Sequence, residues 1–275
     1  MIVESLLPVL GYLASVLMGL SLGLIGGGGS ILTVPILVYL FRVPVLEATA
    51  YSLFVVGLTA LVGGLGSYRR GDVDLKTGLM FAAPSFLGVF VTRSWIVPQL
   101  PDPVLSIGGL AVSKPLFIMV IFAVLMVAAS VSMIRSKKAA VVSTPRAMSS
   151  LKRNTLIGTE GLVVGALTGM VGAGGGFLII PALVVLVGLP MRIAVGTSLF
   201  IIAVKSLLGF TGDLRNGLAV DWGLLFSIVA LAVVGTLIGG SFSKKVPEVK
   251  LKKAFGYFVL IMGSVILAEQ ISKIL

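Results

Sequence analysis

The clearest candidates for chemistry in this sequence are two clusters of glycine, one in each half of the chain. Consecutive glycines cost about 1 kcal/mol each relative to alanine in a helix, so we expect a helix to break at both clusters. The first amides of the helix that restarts after each break have no internal acceptor and carry partial positive charge, which favours a bound anion. The residues predicted to line this site are Gly26, Gly27, Gly28, Gly29 and Ser30 in the first cluster, and Gly172, Gly174, Gly175 and Gly176 in the second.

The same clusters have two other interpretations. Small residues allow neighbouring membrane helices to pack closely, and consecutive glycines at equivalent places could serve that purpose alone. A nucleotide phosphate loop is the other interpretation, but it requires a Gly-Lys-Ser/Thr sequence that neither cluster contains. Anion binding at a helix break is therefore the main prediction, and close helix packing stays open as its alternative.

Lys205 is the candidate cation of the predicted site. It lies inside an apolar run, residues 194–210, that is typical of a membrane-spanning helix. Charged side chains within such helices usually face a functional interior, where this ammonium group could pair with an anionic substrate. The alternative is that the long side chain extends to the membrane interface, which would leave the site without its cation.

Two Ser-Leu-Phe elements supply candidate hydroxyl groups. Ser52 begins the first element, Ser198 begins the second, and Thr197 precedes Ser198. Their hydroxyl groups could complete the hydrogen-bond shell of an oxoanion. Equally, they could cap helices or bond between helices, as serine and threonine commonly do.

Two further charges lie within apolar runs. Glu160 could act as a proton-coupling group, or it could pair with Lys152 or Arg153 near the start of its helix. Arg93 lies close to Trp95 at the end of its predicted helix. We expect Arg93 to anchor that helix at the membrane interface rather than to bind substrate.

Cysteine and histidine are absent from the chain. Their absence excludes thiolate chemistry, imidazole bases, disulfides and the commonest zinc ligands. The one candidate pair of nucleophile and base, Ser198 and Lys205, is separated by about two helical turns, so direct contact is not expected. We therefore predict no catalytic residue, no metal site and no cofactor.

The composition places the chain in a membrane. Hydrophobic residues make up 57% of it, charged residues 11%, and the mean hydropathy is +1.16. The sequence predicts an all-α integral membrane protein with about eight transmembrane helices plus two short broken or re-entrant helices, which follow the glycine clusters. The eight long apolar runs lie at about residues 6–25, 48–65, 77–97, 116–134, 156–171, 194–210, 222–242 and 254–271.

The two halves of the chain are related by an internal duplication. Residues 23–71 align without gaps with residues 169–217, and about 19 of the 49 aligned positions are identical. Basic residues cluster in three short loops, which the positive-inside rule assigns to the cytoplasm. The loop that ends the first copy is then inside and its counterpart outside, so we expect inverted-topology repeats. The predicted division is a first repeat over residues 1–134, a cytoplasmic linker over 135–153 and a second repeat over 154–275.

The basic residues of these three loops account for the formal net charge of +11. We therefore expect membrane lipid, and not nucleic acid, as a partner. Five segments in each half place both termini outside the cytoplasm. The first apolar run has Glu4 as its only early charge, and we expect a retained helix there rather than a signal peptide. The sequence predicts no oligomeric state.

At its paired motifs the sequence resembles the sulfite exporter family TauE/SafE, also described as the toluene sulfonate uptake permeases. The resemblance rests on GLIGGGGSILTVP at residues 23–35, GMVGAGGGFLIIP at 169–181, AVGTSLF at 194–200 and Val-Asp-Trp at 220–222. It implies a multi-pass carrier in the bacterial cytoplasmic (inner) membrane that exports sulfur-containing anions such as sulfite, sulfoacetate or organosulfonates. Only the two glycine clusters and the Thr197-Ser198 element are carried over from the family as site residues.

Together these features predict a secondary transporter. It would move a small sulfur-containing anion by alternating access around a central, glycine-lined site. An anion channel stays open as the first alternative, because it would share every static feature of the sequence. An intramembrane enzyme or protein insertase is the second alternative.

Overall fold

The computed structural model describes residues 2–107, 110–135, 150–185, 187–242 and 248–272. Both glycine clusters, Lys205 and Arg93 lie within these ranges. The predicted cytoplasmic linker lies mostly outside the described residues, and so does part of the third basic loop.

The first glycine cluster ends a helix, as its sequence predicts. Helix α1 (Ile2–Ile25) stops there, and the chain turns at Gly26 with a φ of +78°. A 3₁₀ turn (Gly27–Leu32), the single turn α2 (Thr33–Pro35) and a π turn (Ile36–Leu40) follow, and together they form the first short helix. The other helices of this half are α3 (Val45–Arg69), α4 (Leu75–Val91), α5 (Val97–Gln99) and α6 (Lys114–Arg135).

The second glycine cluster also ends a helix. Helix α7 (Ser150–Val171) stops at it, and α8 (Gly176–Val185), the second short helix, begins at its last glycine. The half is completed by α9 (Met191–Arg215), α10 (Trp222–Phe242) and α11 (Glu248–Ser272).

Six helices in the described part of the chain are long and apolar enough to cross a membrane. The predicted count of eight is therefore not confirmed, although the all-helical membrane architecture is. Helix α7 carries Glu160 and several threonines and glycines, and α11 begins with a run of charged residues, so both are less apolar than the other long helices.

Glycines bring α1 and α10 into direct backbone contact. A methyl group on Gly19 would lie 1.9 Å from the carbonyl oxygen of Ala232, and one on Gly23 would lie 2.2 Å from that of Thr236. Contacts that advance together along both helices show that α1 and α10 run in the same direction. Thr236 also donates its hydroxyl hydrogen to the Gly19 carbonyl oxygen at 2.9 Å, which ties the pair together.

Helices α4 and α7 pair in the same way between the two halves. A methyl group on Gly161 would lie 2.8 Å from the carbonyl oxygen of Phe81, and one on Gly165 would lie 2.1 Å from that of Ser85. These two helices therefore also run in the same direction.

Helices α3 and α9 form the centre of the bundle. They are the most buried of the membrane-length helices, with 61% and 67% of the residues in their most apolar windows buried. Gly57 faces Leu207, whereas Gly64, further along α3, faces the earlier residue Leu199. The pair is thus antiparallel. Because α9 is the counterpart of α3 in the duplicated sequence, these counterparts run in opposite directions.

Two local features depart from the predicted pattern of continuous helices. A two-stranded antiparallel hairpin, β1 (Leu105–Ile107) and β2 (Leu110–Val112), lies between α5 and α6, with Leu105 opposite Val112. A π turn (Thr92–Ile96) follows α4 directly. Such turns rotate the side chains that follow them on a helix, and they often occur at functional sites.

Candidate functional site

The two short helices meet in the interior, where their glycines touch. A methyl group on Gly27 would lie 2.0 Å from the Cα atom of Gly176, and one on Gly176 would lie 2.0 Å from the Cα atom of Gly27. No side chain fits at either position, so the two backbones are in direct contact. Both glycines are buried. The two breaks that the sequence predicts are therefore adjacent.

The second break presents backbone amides that lack acceptors. Gly172, Gly174 and Gly175 have φ angles of +71°, +63° and +77°, which glycine adopts without a steric penalty. The amides of Gly172 and Gly175 have backbone acceptors. Those of Gly174, Gly176 and Phe177 have none among the described residues. The first turn of α8 therefore offers hydrogen-bond donors together with the positive end of its helix dipole.

Ser52 lies on the face of α3 that covers this break. Thr49 of the same helix lies against Gly172, and Val56, two turns further along, lies against Gly174. Ser52 falls between them on the same face and is fully buried. Its hydroxyl group has no partner in the described part of the chain, so it remains available to a ligand.

Lys205 reaches the same break from α9. The side chain is fully buried, and its Nζ atom donates to Thr168 Oγ1 at 2.6 Å. A methyl group on Gly175 would lie 2.9 Å from Nζ, so the charge lies directly beside the break. No carboxylate among the described residues forms an ion pair with this ammonium group. The alternative in which Lys205 extends to the membrane interface is therefore wrong.

Two other predicted hydroxyl groups already have partners. Ser30 donates to the carbonyl oxygen of Gly27 at 2.7 Å, and a methyl group on Gly174 would lie 3.0 Å from the Ser30 Cβ atom. Ser198 donates to the carbonyl oxygen of Val195 at 2.7 Å. Both serines would have to exchange these backbone partners to bind a ligand.

Thr197 and Gly29 are not brought to the second break. Thr197 Oγ1 accepts a hydrogen bond of 2.9 Å from the amide of Asp74 and so supports the start of α4. A methyl group on Gly29 would lie 2.5 Å from the carbonyl oxygen of Met18 in α1, which favours the packing interpretation for this glycine. Gly28 lies within the 3₁₀ turn of the first short helix.

Glu160 is distant from the cation at the break. It lies on α7 about two turns before Thr168, roughly 12 Å along the helix axis, and is partly buried. The side chains of Lys152 and Arg153 are outside the described part of the structure, so the alternative pairing is untested. Proton coupling through Glu160 stays a prediction.

Arg93 is a candidate that the sequence interpretation missed. Its side chain is 1% exposed rather than at the membrane interface, and its Nη1 atom donates to Asp213 Oδ1 at 3.3 Å and to Thr49 Oγ1 at 3.0 Å. Thr49 contacts Gly172, so Arg93 and Lys205 lie near opposite ends of the same glycine segment. No local pattern could reveal this, because Asp213 is 120 residues away in sequence.

The groups gathered at the second break are suited to a negatively charged ligand. The Lys205 ammonium group, the amides without acceptors and the free Ser52 hydroxyl group are all donors. Among the described residues, no group of three or more His, Cys, Asp or Glu side chains could hold a metal ion. The site therefore has the chemistry of anion binding.

A comparison of the sequence with models of protein families identifies the family of this chain. Residues 11–266 match the family described as Sulfite exporter TauE/SafE. The chain belongs to the TauE/SafE family. The matched region contains both glycine clusters and all of the candidate site residues, and the resemblance seen in the paired motifs is confirmed.

Curated bacterial relatives of this TauE/SafE protein match it along nearly their full length. The probable membrane transporter protein YdhB of Bacillus subtilis (strain 168) is 30% identical over 255 residues, which cover 91% of this chain and 96% of that protein. A probable membrane transporter protein of Xylella fastidiosa (strain Temecula1 / ATCC 700964) is 29% identical over 266 residues, or 94% of each chain. No solved structure matches the sequence. The protein is thus a multi-pass membrane transporter of the TauE/SafE family.

The Thr168 hydroxyl group should be needed to keep the Lys205 charge in the interior. Thr168→Val removes the described acceptor of the ammonium group, and leaving a buried charged donor unpaired should cost about 1–3 kcal/mol of folding free energy. The loss is measured as a lower Tm of the purified TauE/SafE protein. Thr168→Ser keeps the hydroxyl group and is the matched control. Equal stability of the two variants would show that the hydrogen bond contributes nothing.

Proposed function

We propose that this protein is a secondary transporter, in the bacterial cytoplasmic (inner) membrane, that exports sulfite or a small organosulfur anion such as sulfoacetate. The anion would bind at the second glycine break, and the protein would expose it to each side of the membrane in turn. Family membership supports the transport of a small anion. The donors gathered at the break support its place of binding.

The fully buried ammonium group of Lys205 is the observation that carries this proposal. Moving a cation from water into a protein interior costs several kcal/mol unless it is paired. A hydrogen bond to the neutral Thr168 hydroxyl group offsets only part of that cost. A bound oxoanion would supply a compensating negative charge, so substrate binding would stabilise the buried ammonium group.

The other groups at the break provide the kind of donors that an oxoanion requires. Sulfite and sulfonates present three oxygen acceptors, which require several convergent donors. The unpaired amides of Gly174, Gly176 and Phe177 and the free hydroxyl group of Ser52 are such donors. Backbone amides distinguish an anion from a neutral solute without requiring further charged side chains.

We also propose that the two halves act as inverted repeats. The opposite directions of α3 and α9 support this proposal, and so do the equivalent crossing pairs α1 with α10 and α4 with α7. In transporters of this type the substrate site lies where the repeats meet, and rocking of one repeat against the other exposes it alternately. In this protein the short helices of the two halves touch where Gly27 meets Gly176, which supports a substrate site close to that contact.

Transport of radiolabelled sulfite by the purified protein in liposomes tests the proposed function. Efflux should saturate with internal sulfite, and external sulfite should accelerate the exchange of labelled sulfite, because a carrier returns faster when loaded. Sulfoacetate should compete, and a neutral solute of similar size should not. Flux that rises linearly with concentration, without acceleration by exchange, would instead indicate an anion channel.

A further inference from the structure

We propose that Arg93 forms a second anion-binding site, separate from the one at Lys205, and that the negative charge of its counter-ion Asp213 opposes the binding of an oxoanion there. This inference rests on the proposed function, because the ligand belongs to the same class as the transported anion. It adds a site that the two glycine clusters do not reveal.

The Arg93 cluster has more buried donors than acceptors. The Nη1 atom of the guanidinium group donates to Asp213 and Thr49. The Nε and Nη2 atoms are buried and have no partner among the described residues. Thr92 and Ser94, the neighbours of Arg93 in sequence, have buried hydroxyl groups that likewise have no described partner. Asp213 Oδ2 is also buried and has no described partner, and it accepts hydrogen bonds but cannot donate them when ionised. Unpaired buried donors are costly, so this surplus fits a ligand with several oxygen acceptors.

The unpaired edge of Arg93 has the geometry that an oxoanion requires. Nε and Nη2 lie on one edge of the planar guanidinium group and donate in parallel to two oxygens of a carboxylate, phosphate or sulfonate. The existing contact with Asp213 uses a different nitrogen and is long, at 3.3 Å. Arg93 can therefore bind an anion through Nε and Nη2, which its counter-ion leaves free.

The packing around Arg93 holds the backbone of this residue in place. A methyl group on Gly212 of α9 would lie 3.2 Å from the Arg93 Cβ atom and 2.9 Å from Ser94 Oγ. The amide nitrogen of the Asn216 side chain donates to the Arg93 carbonyl oxygen at 3.0 Å. The π turn that contains Arg93 is thus held closely against the end of α9.

The position of the cluster relates it to the central site. Gly212, which packs on the Arg93 Cβ atom, is two turns beyond Lys205 on α9, or roughly 10 Å along the helix axis. Asp213 is 13% exposed and Arg93 only 1%, so the carboxylate is the more accessible member of the pair. In the duplicated sequence, Ser67 occupies the position equivalent to Asp213, so the duplication does not itself impose this ion pair.

Neutralising the counter-ion tests this assignment, because a structural ion pair and an anion site predict opposite results. Sulfite binding is measured by isothermal titration calorimetry on the purified full-length protein carrying Lys205→Met, which removes the central cation. We expect sulfite still to bind. Adding Asp213→Asn should tighten the Kd about tenfold, because the competing negative charge is lost while an amide oxygen remains for Nη1.

The controls separate this proposal from the proposed function. Asp72→Asn alters another carboxylate paired with arginine, at 2.8 Å from Arg192 and 3.2 Å from Arg70, and should leave the Kd unchanged. Arg93→Lys keeps the charge but removes the paired Nε and Nη2 donors, so it should weaken binding about tenfold. If Lys205→Met abolishes all sulfite binding, or if Asp213→Asn does not tighten it, the proposal of a second anion site is wrong, and the proposed transport function is unaffected. If the unaltered protein binds no sulfite, both proposals fail.

Discussion

Replacing Lys205 by methionine is expected to reduce saturable sulfite flux by about 100-fold or more, since truncating one partner of a buried charge pair costs about 2–5 kcal/mol of binding. Methionine is similar in length and apolar, so the protein should still fold. Its Tm should stay equal or rise, because a buried cation is replaced by a group that needs no partner. Flux is measured in liposomes and stability by thermal unfolding of the same preparation.

Two controls make the Lys205 result specific. Lys76→Met removes an exposed lysine at the start of α4 and should leave flux unchanged. Because the chain contains no cysteine, Lys205→Cys provides a single thiol, and its alkylation with 2-bromoethylamine restores an ammonium group at nearly the original length. Flux should return once the thiol is alkylated. Unchanged flux in Lys205→Met would remove Lys205 from the site.

Gly176→Ala is expected to be the most damaging of the small substitutions. The added methyl group would lie 2.0 Å from the Gly27 Cα atom, and the clash is with backbone, which cannot rotate away. Overpacking of this kind typically costs about 1–3 kcal/mol and occasionally more. We expect a large fall in Tm, and loss of saturable sulfite flux in whatever protein remains folded.

Gly158→Ala is the matched control for this substitution. Gly158 lies on α7 with nothing within 4 Å of an added methyl group, so alanine should be neutral or slightly stabilising. Gly27→Ala should reproduce the effect of Gly176→Ala, because it forms the other half of the same contact. A Gly176→Ala protein with the stability and flux of Gly158→Ala would show that the two breaks do not depend on touching.

The sequence predicts features that depend on local chemistry. Both helix breaks follow from the intrinsic cost of consecutive glycines, which neighbouring helices do not relieve. Lys205 is recognisable because a lone cation in an apolar run is rare whatever the surrounding fold. Ser52 is recognisable as a polar residue repeated in both copies, although its position on the α3 face is not.

Features that depend on tertiary contacts are not predictable in this way. The Arg93 and Asp213 pair joins residues far apart in sequence, and Trp95 close by favoured an interface anchor instead. Thr197 belongs to the same motif as Ser198, yet a helix rotates neighbouring side chains by about 100°, which directs it to the start of α4. The contact of Gly27 with Gly176 requires knowing how the two halves pack.

The position of a bound oxoanion tests the central claim most directly. Selenite has the same pyramidal shape and charge as sulfite, and selenium scatters X-rays anomalously, so a selenite-soaked crystal of the full-length protein locates it. We predict an anomalous peak within about 4 Å of Lys205 Nζ, beside the first turn of α8, that disappears in Lys205→Met crystals. Selenite bound only at surface arginines, in a protein whose sulfite flux saturates, would contradict the proposed site.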